Sequence, residues 1–231
     1  MQSYSTLQRG LIKRIEEGFI KGESPSTIVT PVKDYATDIR VCLAGVVFLP
    51  KDIEEKIISE VINPLREADP RQYYYVPSSF HITIQNVRTI ENPPLFTDSD
   101  IKKSRDVFSK IIPQFKPISF SLESIFQLPT SLSICAFTDS FLGSLAKELR
   151  SKLAEAGVPD NKKYADNDIV IANSTFCRFQ TKPNEEFLSK VNHLKNIHIG
   201  EFEANKVELV TTNCVCIPTM TKIISTVEFR K

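Results

Sequence analysis

The chain has 231 residues, with 29 Lys and Arg against 28 Asp and Glu and a formal net charge of +1. A balance so close to zero excludes an extended nucleic-acid coat or a polybasic membrane anchor, since both need a surface field of one sign. Hydrophobic residues at 41% and charged residues at 25% exclude a disordered or collagen-like chain, and no apolar stretch approaches the roughly 20 residues that cross a bilayer. A cytoplasmic, monomeric protein without membrane contact is the expectation.

Leu7, Leu11, Ile15 and Phe19 are spaced four apart, which predicts an amphipathic helix over residues 3–21. Gly22, Pro25 and Pro31 then mark a connector, so residues 1–37 read as an addition and the main domain as 38–231. Residues 39–50 are apolar on both faces and β-branched, as in a strand covered on both sides. Ile53, Ile57, Val61 and Leu65 share a helical face over 51–66, and Pro64 is expected to kink or end that helix.

In the next strand Phe80, Ile82 and Ile84 alternate with His81, Thr83 and Gln85, giving one buried and one polar face. A helix follows over 98–112, stopped by Pro113, and then a hairpin of residues 118–126 and 132–136. Another helix is expected with Asp139 or Ser140 as N-cap and Gly157 just past its end. The strand DIVIANSTFCRF (168–179), a helix near 184–195 and strands around 204–212 and 222–230 complete the chain. This is an α+β fold whose elements repeat, so the chain divides into two lobes of about 38–137 and 138–231.

The five cysteines (Cys42, Cys135, Cys177, Cys214, Cys216) form no C-x-x-C pair and read as reduced thiols. Cys214 and Cys216 have no sequence neighbour that would make a metal site. Lys102, Lys103 and Arg105 are most simply a solvated helix face.

His81-Ile82-Thr83-Ile84 and Asn173-Ser174-Thr175-Phe176 fall at matching points of the two lobes. Strand side chains alternate, so His81 with Thr83, and Asn173 with Thr175, each form a polar pair on one face. On strict alternation Gln85 and Cys177 continue these faces, and Arg178 has the opposite parity. In these motifs the chain resembles the two-histidine (2H) phosphoesterase superfamily of 2′,5′-RNA ligases and cyclic phosphodiesterases, whose signature is His-x-Thr/Ser-hydrophobic in each lobe. FHITI fits the first copy; ANSTFCR fits the second, Arg178 included, except that Asn173 stands in the place of histidine.

The resemblance implies a bilobal fold with a central cleft that holds a phosphodiester, as a 2′,3′-cyclic nucleotide or an RNA end, without metal or other cofactor. It implies His81, Thr83, Asn173 and Thr175 as the catalytic set, with attenuated turnover because a carboxamide does not exchange protons at neutral pH. Tyr75, Gln85, Tyr164 and Arg178 are the candidate substrate contacts, the tyrosines by stacking a base. The alternative is a nucleotide- or RNA-binding module without turnover. His193 and His198 fall off the motif face by spacing, so neither is expected to replace the missing imidazole.

Overall fold

A computed structural model of the chain describes residues 2–230. The strands are β1 (Val41–Phe48), β2 (Tyr73–Tyr74), β3 (His81–Glu91), β4 (Ile118–Leu128), β5 (Ser131–Phe137), β6 (Asn173–Arg178), β7 (His198–Ala204), β8 (Lys206–Thr212) and β9 (Lys222–Glu228). They form two antiparallel sheets, ordered β3-β1-β8-β9 and β2-β6-β5-β4-β7. The sheets are not the two halves of the sequence. Hairpin β4–β5 joins the sheet of the second motif, and hairpin β8–β9 joins that of the first. Each half thus lends the other a hairpin, which a division near residue 137 cannot express.

The helices are α1 (Tyr4–Ile20), α2 (Lys51–Lys56), α3 (Asn63–Ala68), α4 (Asp98–Ile111), α5 (Leu142–Glu155) and α6 (Glu185–His193). Between α2 and α3, residues Ile57–Ile62 take a π-helical turn, with the Asn63 N–H donating to Ile58 O. That wider turn lets Pro64 sit inside a helical run without ending it, so the expected stop falls after Ala68 instead. Helix α4 begins with the Thr97–Asp100 capping box. Gly157, at φ 77°, closes α5 as expected, with Val158 N–H donating to Leu153 O. The α5 N-terminus differs: Phe141 stands at the cap without a side-chain bond, and Asp139 accepts from Ser5 N–H at 2.7 Å, serving α1.

The main core fills the space between the sheets and helices α2 to α6, with Phe80, Phe108, Phe120, Phe176 and Phe187 fully buried. Gly45 in β1 is required there, because a Cβ at this position would collide with the Phe108 ring. A second cluster seats α1: Leu11 and Ile15 pack against Phe126, Cys135 and Phe137 of the five-stranded sheet. Burying each of these two side chains contributes about 1.5–3 kcal/mol. Gln8, fully buried, stitches the helix down by donating to Val170 O and accepting from Thr138 N–H.

From α1 the connector crosses the mouth of the space between the sheets. Thr27 and Lys163 exchange bonds (Thr27 N–H to Lys163 O, Lys163 N–H to Thr27 Oγ1), Lys163 Nζ donates to Ser24 O, and Gln180 donates to Lys33 O. The N-terminal addition is therefore a fitted wall of the central groove.

The buried Asp69 ties the segment before β2 to the segment after β6. It accepts from Arg71 Nε (2.7 Å), Arg71 Nη2 (2.9 Å), Gln72 Nε2 (2.9 Å) and Asn184 N–H (3.3 Å). The Arg71 bonds hold its carboxyl well below the usual carboxylate range. A depressed carboxylate contributes stability above its unfolded value of about 3.9 and loses it as pH falls toward the folded value. Asp69→Asn is expected to be less stable at pH 7 and to lose less than the parent on acidification below about pH 4, as urea unfolding at a series of pH values will measure.

Candidate active site

Strands β3 and β6 bring the two motifs to opposite sides of one cavity of about 430 Å³, lined by His81 and Thr83 from one sheet and Asn173 and Thr175 from the other. Each motif strand carries a bulge directly after its threonine. In β3, Gly45 pairs with Gln85 but Val46 pairs with Thr83, leaving Ile84 as the extra residue. In β6, Leu132 pairs with Cys177 but Ser133 pairs with Thr175, leaving Phe176 as the extra residue.

A bulge reverses the alternation beyond it. Gln85 and Cys177, expected on the groove face, are instead turned inward and buried. Asn86 and Arg178, each three residues after its threonine, take their places on the cavity wall. The parity that spoke against Arg178 is cancelled by this one extra residue.

His81 is oriented by the short helical turn Pro77–Ser79 that precedes β3. Its Nδ1 lies 2.7 Å from Ser79 O; a carbonyl only accepts, so Nδ1 carries a proton and Nε2 is the titrating nitrogen. Burial by itself would lower the imidazole's pKa, but the negative charge of an ionised Cys216 beside it and the Ser79 carbonyl outweigh burial and hold it above the ordinary histidine value. Cys216, buried in the turn after β8, is correspondingly held below the usual thiol value by the same imidazole, against the opposing effect of its own burial.

In the second sheet, Thr175 Oγ1 and Ser133 Oγ are 3.0 Å apart, which fixes the threonine rotamer. Asn173 pairs with Cys135, the residue on which Leu11 and Ile15 pack, so α1 forms the wall beside it.

Arg178 is 8% exposed, and no carboxylate among the described residues pairs with it. Its Nε donates to Tyr75 Oη (3.1 Å) and its Nη2 to Cys214 O (3.4 Å); the Tyr75 hydroxyl itself donates to Cys214 O (2.8 Å). Tyr75 is thus a buried strut for the guanidinium rather than a free stacking platform, and burial pushes its phenol pKa upward. The pairing of Tyr73 with Arg178 across β2 and β6, anchored by the Asp69 knot, sets the backbone on which Arg178 stands.

At the other end of the groove, Tyr164 lines the cavity with the Arg150 guanidinium 3.9 Å over its ring, and its hydroxyl donates to Asp160 Oδ2 (3.1 Å). Gln85 donates to the same carboxylate oxygen at 2.8 Å, so its role is to anchor this loop from beneath. The chain has three histidines; His193 and His198 are exposed and away from the cavity, leaving His81 as the imidazole of the site.

No family model and no curated protein matches this sequence. Solved structures do match its backbone. Escherichia coli LigT complexed with ATP aligns over 83% of this chain and 99% of its own, at TM-score 0.55 and 14% identity. TT0787 of Thermus thermophilus aligns over 83% and 98%, at TM-score 0.58 and 14% identity. A third structure, described as a phosphoesterase, aligns over 83% and 99%, at TM-score 0.57 and 13% identity. The fold is that of these LigT and phosphoesterase structures. Each of these three structures is matched almost end to end, and part of this chain lies outside the matched region.

Sequence reading missed Asn86 and Lys162 as cavity residues and Ser133 as the buried partner of Thr175. Ser133 was available from the alternation of β5. Asn86 was hidden by the bulge, and Lys162 lies in the loop before β6 that was read as strand from residue 168.

Proposed function

We propose that this is a 2H phosphoesterase-like protein that takes a phosphodiester, as a 2′,3′-cyclic nucleotide or an RNA end, into the groove without metal. The observation that carries this reading is the convergence of both motifs, with an uncompensated buried arginine, on one cavity. The Thr83 and Thr175 hydroxyls donate to the phosphoryl oxygens, and Arg178 supplies the countercharge. His81, with its raised pKa, is suited to give a proton from Nε2 to the leaving oxygen. Asn173 contributes hydrogen bonds but no proton exchange, so turnover is slow relative to an enzyme with two imidazoles. Escherichia coli LigT has been crystallised with ATP and with 3′-AMP, and a nucleotide ligand for this chain agrees with that.

The reading is tested by titration calorimetry with 2′,3′-cyclic AMP. Thr83→Val and Thr175→Val remove one hydroxyl each at constant shape and are each expected to weaken binding about tenfold. Unaltered affinity in both variants would remove the threonines from the site.

A further inference from the structure

Three cations on the cavity wall have no carboxylate partner among the described residues: Arg178 beside the motifs, and Lys162 and Lys163 at the opposite end, of which Lys163 is held by Ser24 O. We propose, building on the function proposed above, that Lys162 is the centre of a second anion subsite, which takes a further phosphate carried by the same ligand. The substrate class is then a nucleotide with a phosphate besides its cyclic phosphodiester.

The loop that bears Lys162 is built to hold it in place. Asp160 accepts from Gln85, Tyr164 and Lys162 N–H, while Asn161 accepts from Thr89 N–H and donates to Thr89 Oγ1. The loop is therefore tied to two points of β3, Gln85 and Thr89. The Lys162 ammonium lies 5.6 Å from the Tyr164 ring centre and donates to no protein group among the described residues.

The neighbouring charges are otherwise spent. Asp160 is paired with Arg150 at 3.4 Å, Lys163 donates to Ser24 O, Arg40 is paired with Asp38 at 2.9 Å, and Asp166 faces Arg14 at 3.5 Å. Glu91 also reaches the cavity, but on its exposed rim. Burial depresses the Lys162 pKa below the ordinary lysine value, with Arg150 adding to that and Asp160 opposing it. A phosphate brought within reach would supply the negative charge this corner lacks.

The points of β3 to which the loop is tied, Gln85 and Thr89, are two and six residues beyond Thr83, so at about 3.3 Å per residue the subsites are separated by roughly 7–20 Å. That range includes a nucleoside-scale spacing, with the Tyr164 ring beside it. The connector bonded to Lys163 roofs this end of the groove, so the added phosphate is expected to be terminal rather than part of a chain running on.

Calorimetry with three ligands tests the subsite: adenosine 2′,3′-cyclic phosphate with a free 5′-hydroxyl, the same compound with a 5′-phosphate, and the dinucleotide ending in a 2′,3′-cyclic phosphate. The 5′-phosphate is expected to improve affinity about tenfold in the parent, the dinucleotide less. Lys162→Met, which keeps the apolar stem, is expected to bring the ratio close to one, and Lys162→Arg to retain it; matched thermal midpoints exclude a folding effect. An equal or greater gain from the dinucleotide overturns the terminal-phosphate assignment. No advantage from either added phosphate, or one that survives Lys162→Met, overturns the subsite while leaving the groove reading intact. Failure of all three ligands to bind overturns both.

Discussion

Asn173→His is expected to raise turnover of 2′,3′-cyclic AMP by about 10²- to 10⁴-fold, the range that a positioned general acid or base contributes. On the proposed function, His81, the imidazole of the groove, whose pKa is held above the ordinary value, is the proton donor. What is lacking is a group to take the proton from the attacking water. Residue 173 faces the same cavity, its side chain forms no hydrogen bond among the described residues that an imidazole would break, and Thr175 and Ser133 beside it stay in place.

Initial rates and their pH dependence check this. In the parent the rate should fall as pH rises through the raised pKa of His81, because the protonated form acts. In Asn173→His a second, acidic limb should appear and make the profile bell-shaped. Adding His81→Ala should abolish the gain. Binding without any gain in turnover would favour the non-catalytic nucleotide-binding module.

The second large effect is expected at Arg178, where binding and stability should move in opposite directions. Arg178→Met should weaken binding of 2′,3′-cyclic AMP on the order of 10²-fold, since a buried charge-assisted contact is removed from the ligand. It should also stabilise the free protein by about 1–2 kcal/mol, because the desolvation of this buried charge is offset only by hydrogen bonds to the neutral Tyr75 hydroxyl and Cys214 carbonyl and by no carboxylate.

No polar group is orphaned by the change: the Tyr75 hydroxyl keeps its bond to Cys214 O at 2.8 Å, and Met fills the vacated stem. Urea unfolding would show the gain as a higher midpoint at unchanged slope. A variant that binds normally, or one that is destabilised by more than about 1 kcal/mol, would show that the guanidinium serves the fold rather than the ligand.

Much of the fold was legible because its signals are local. The four-residue spacing of Leu11 and Ile15, the stop at Pro113, and Gly157 after α5 all depend on a few neighbouring residues, although Leu7 of the same stripe stays exposed and Gln8 is buried in its stead. The paired motifs were legible too, since His81 with Thr83 and Asn173 with Thr175 need only alternation within one strand. Pro64 misled because its cost in an α-helix is local, whereas the π-turn that accommodates it is held by packing of Ile57, Val61 and Ile62 in the core.

By itself the sequence determined most of the strand and helix order, though not β2 or β7, together with the two polar pairs and the pairing of one imidazole with one carboxamide at matching points. Only the tertiary structure decided which hairpin joins which sheet, that α1 walls the groove beside Asn173, that bulges exchange Gln85 and Cys177 for Asn86 and Arg178, and that Arg178 and Lys162 stay without a countercharge. The reason is physical. A helix or strand is specified by its own periodicity, but a bulge belongs to the pairing of two strands, and whether a charge is neutralised depends on residues far away in the chain that folding brings to it.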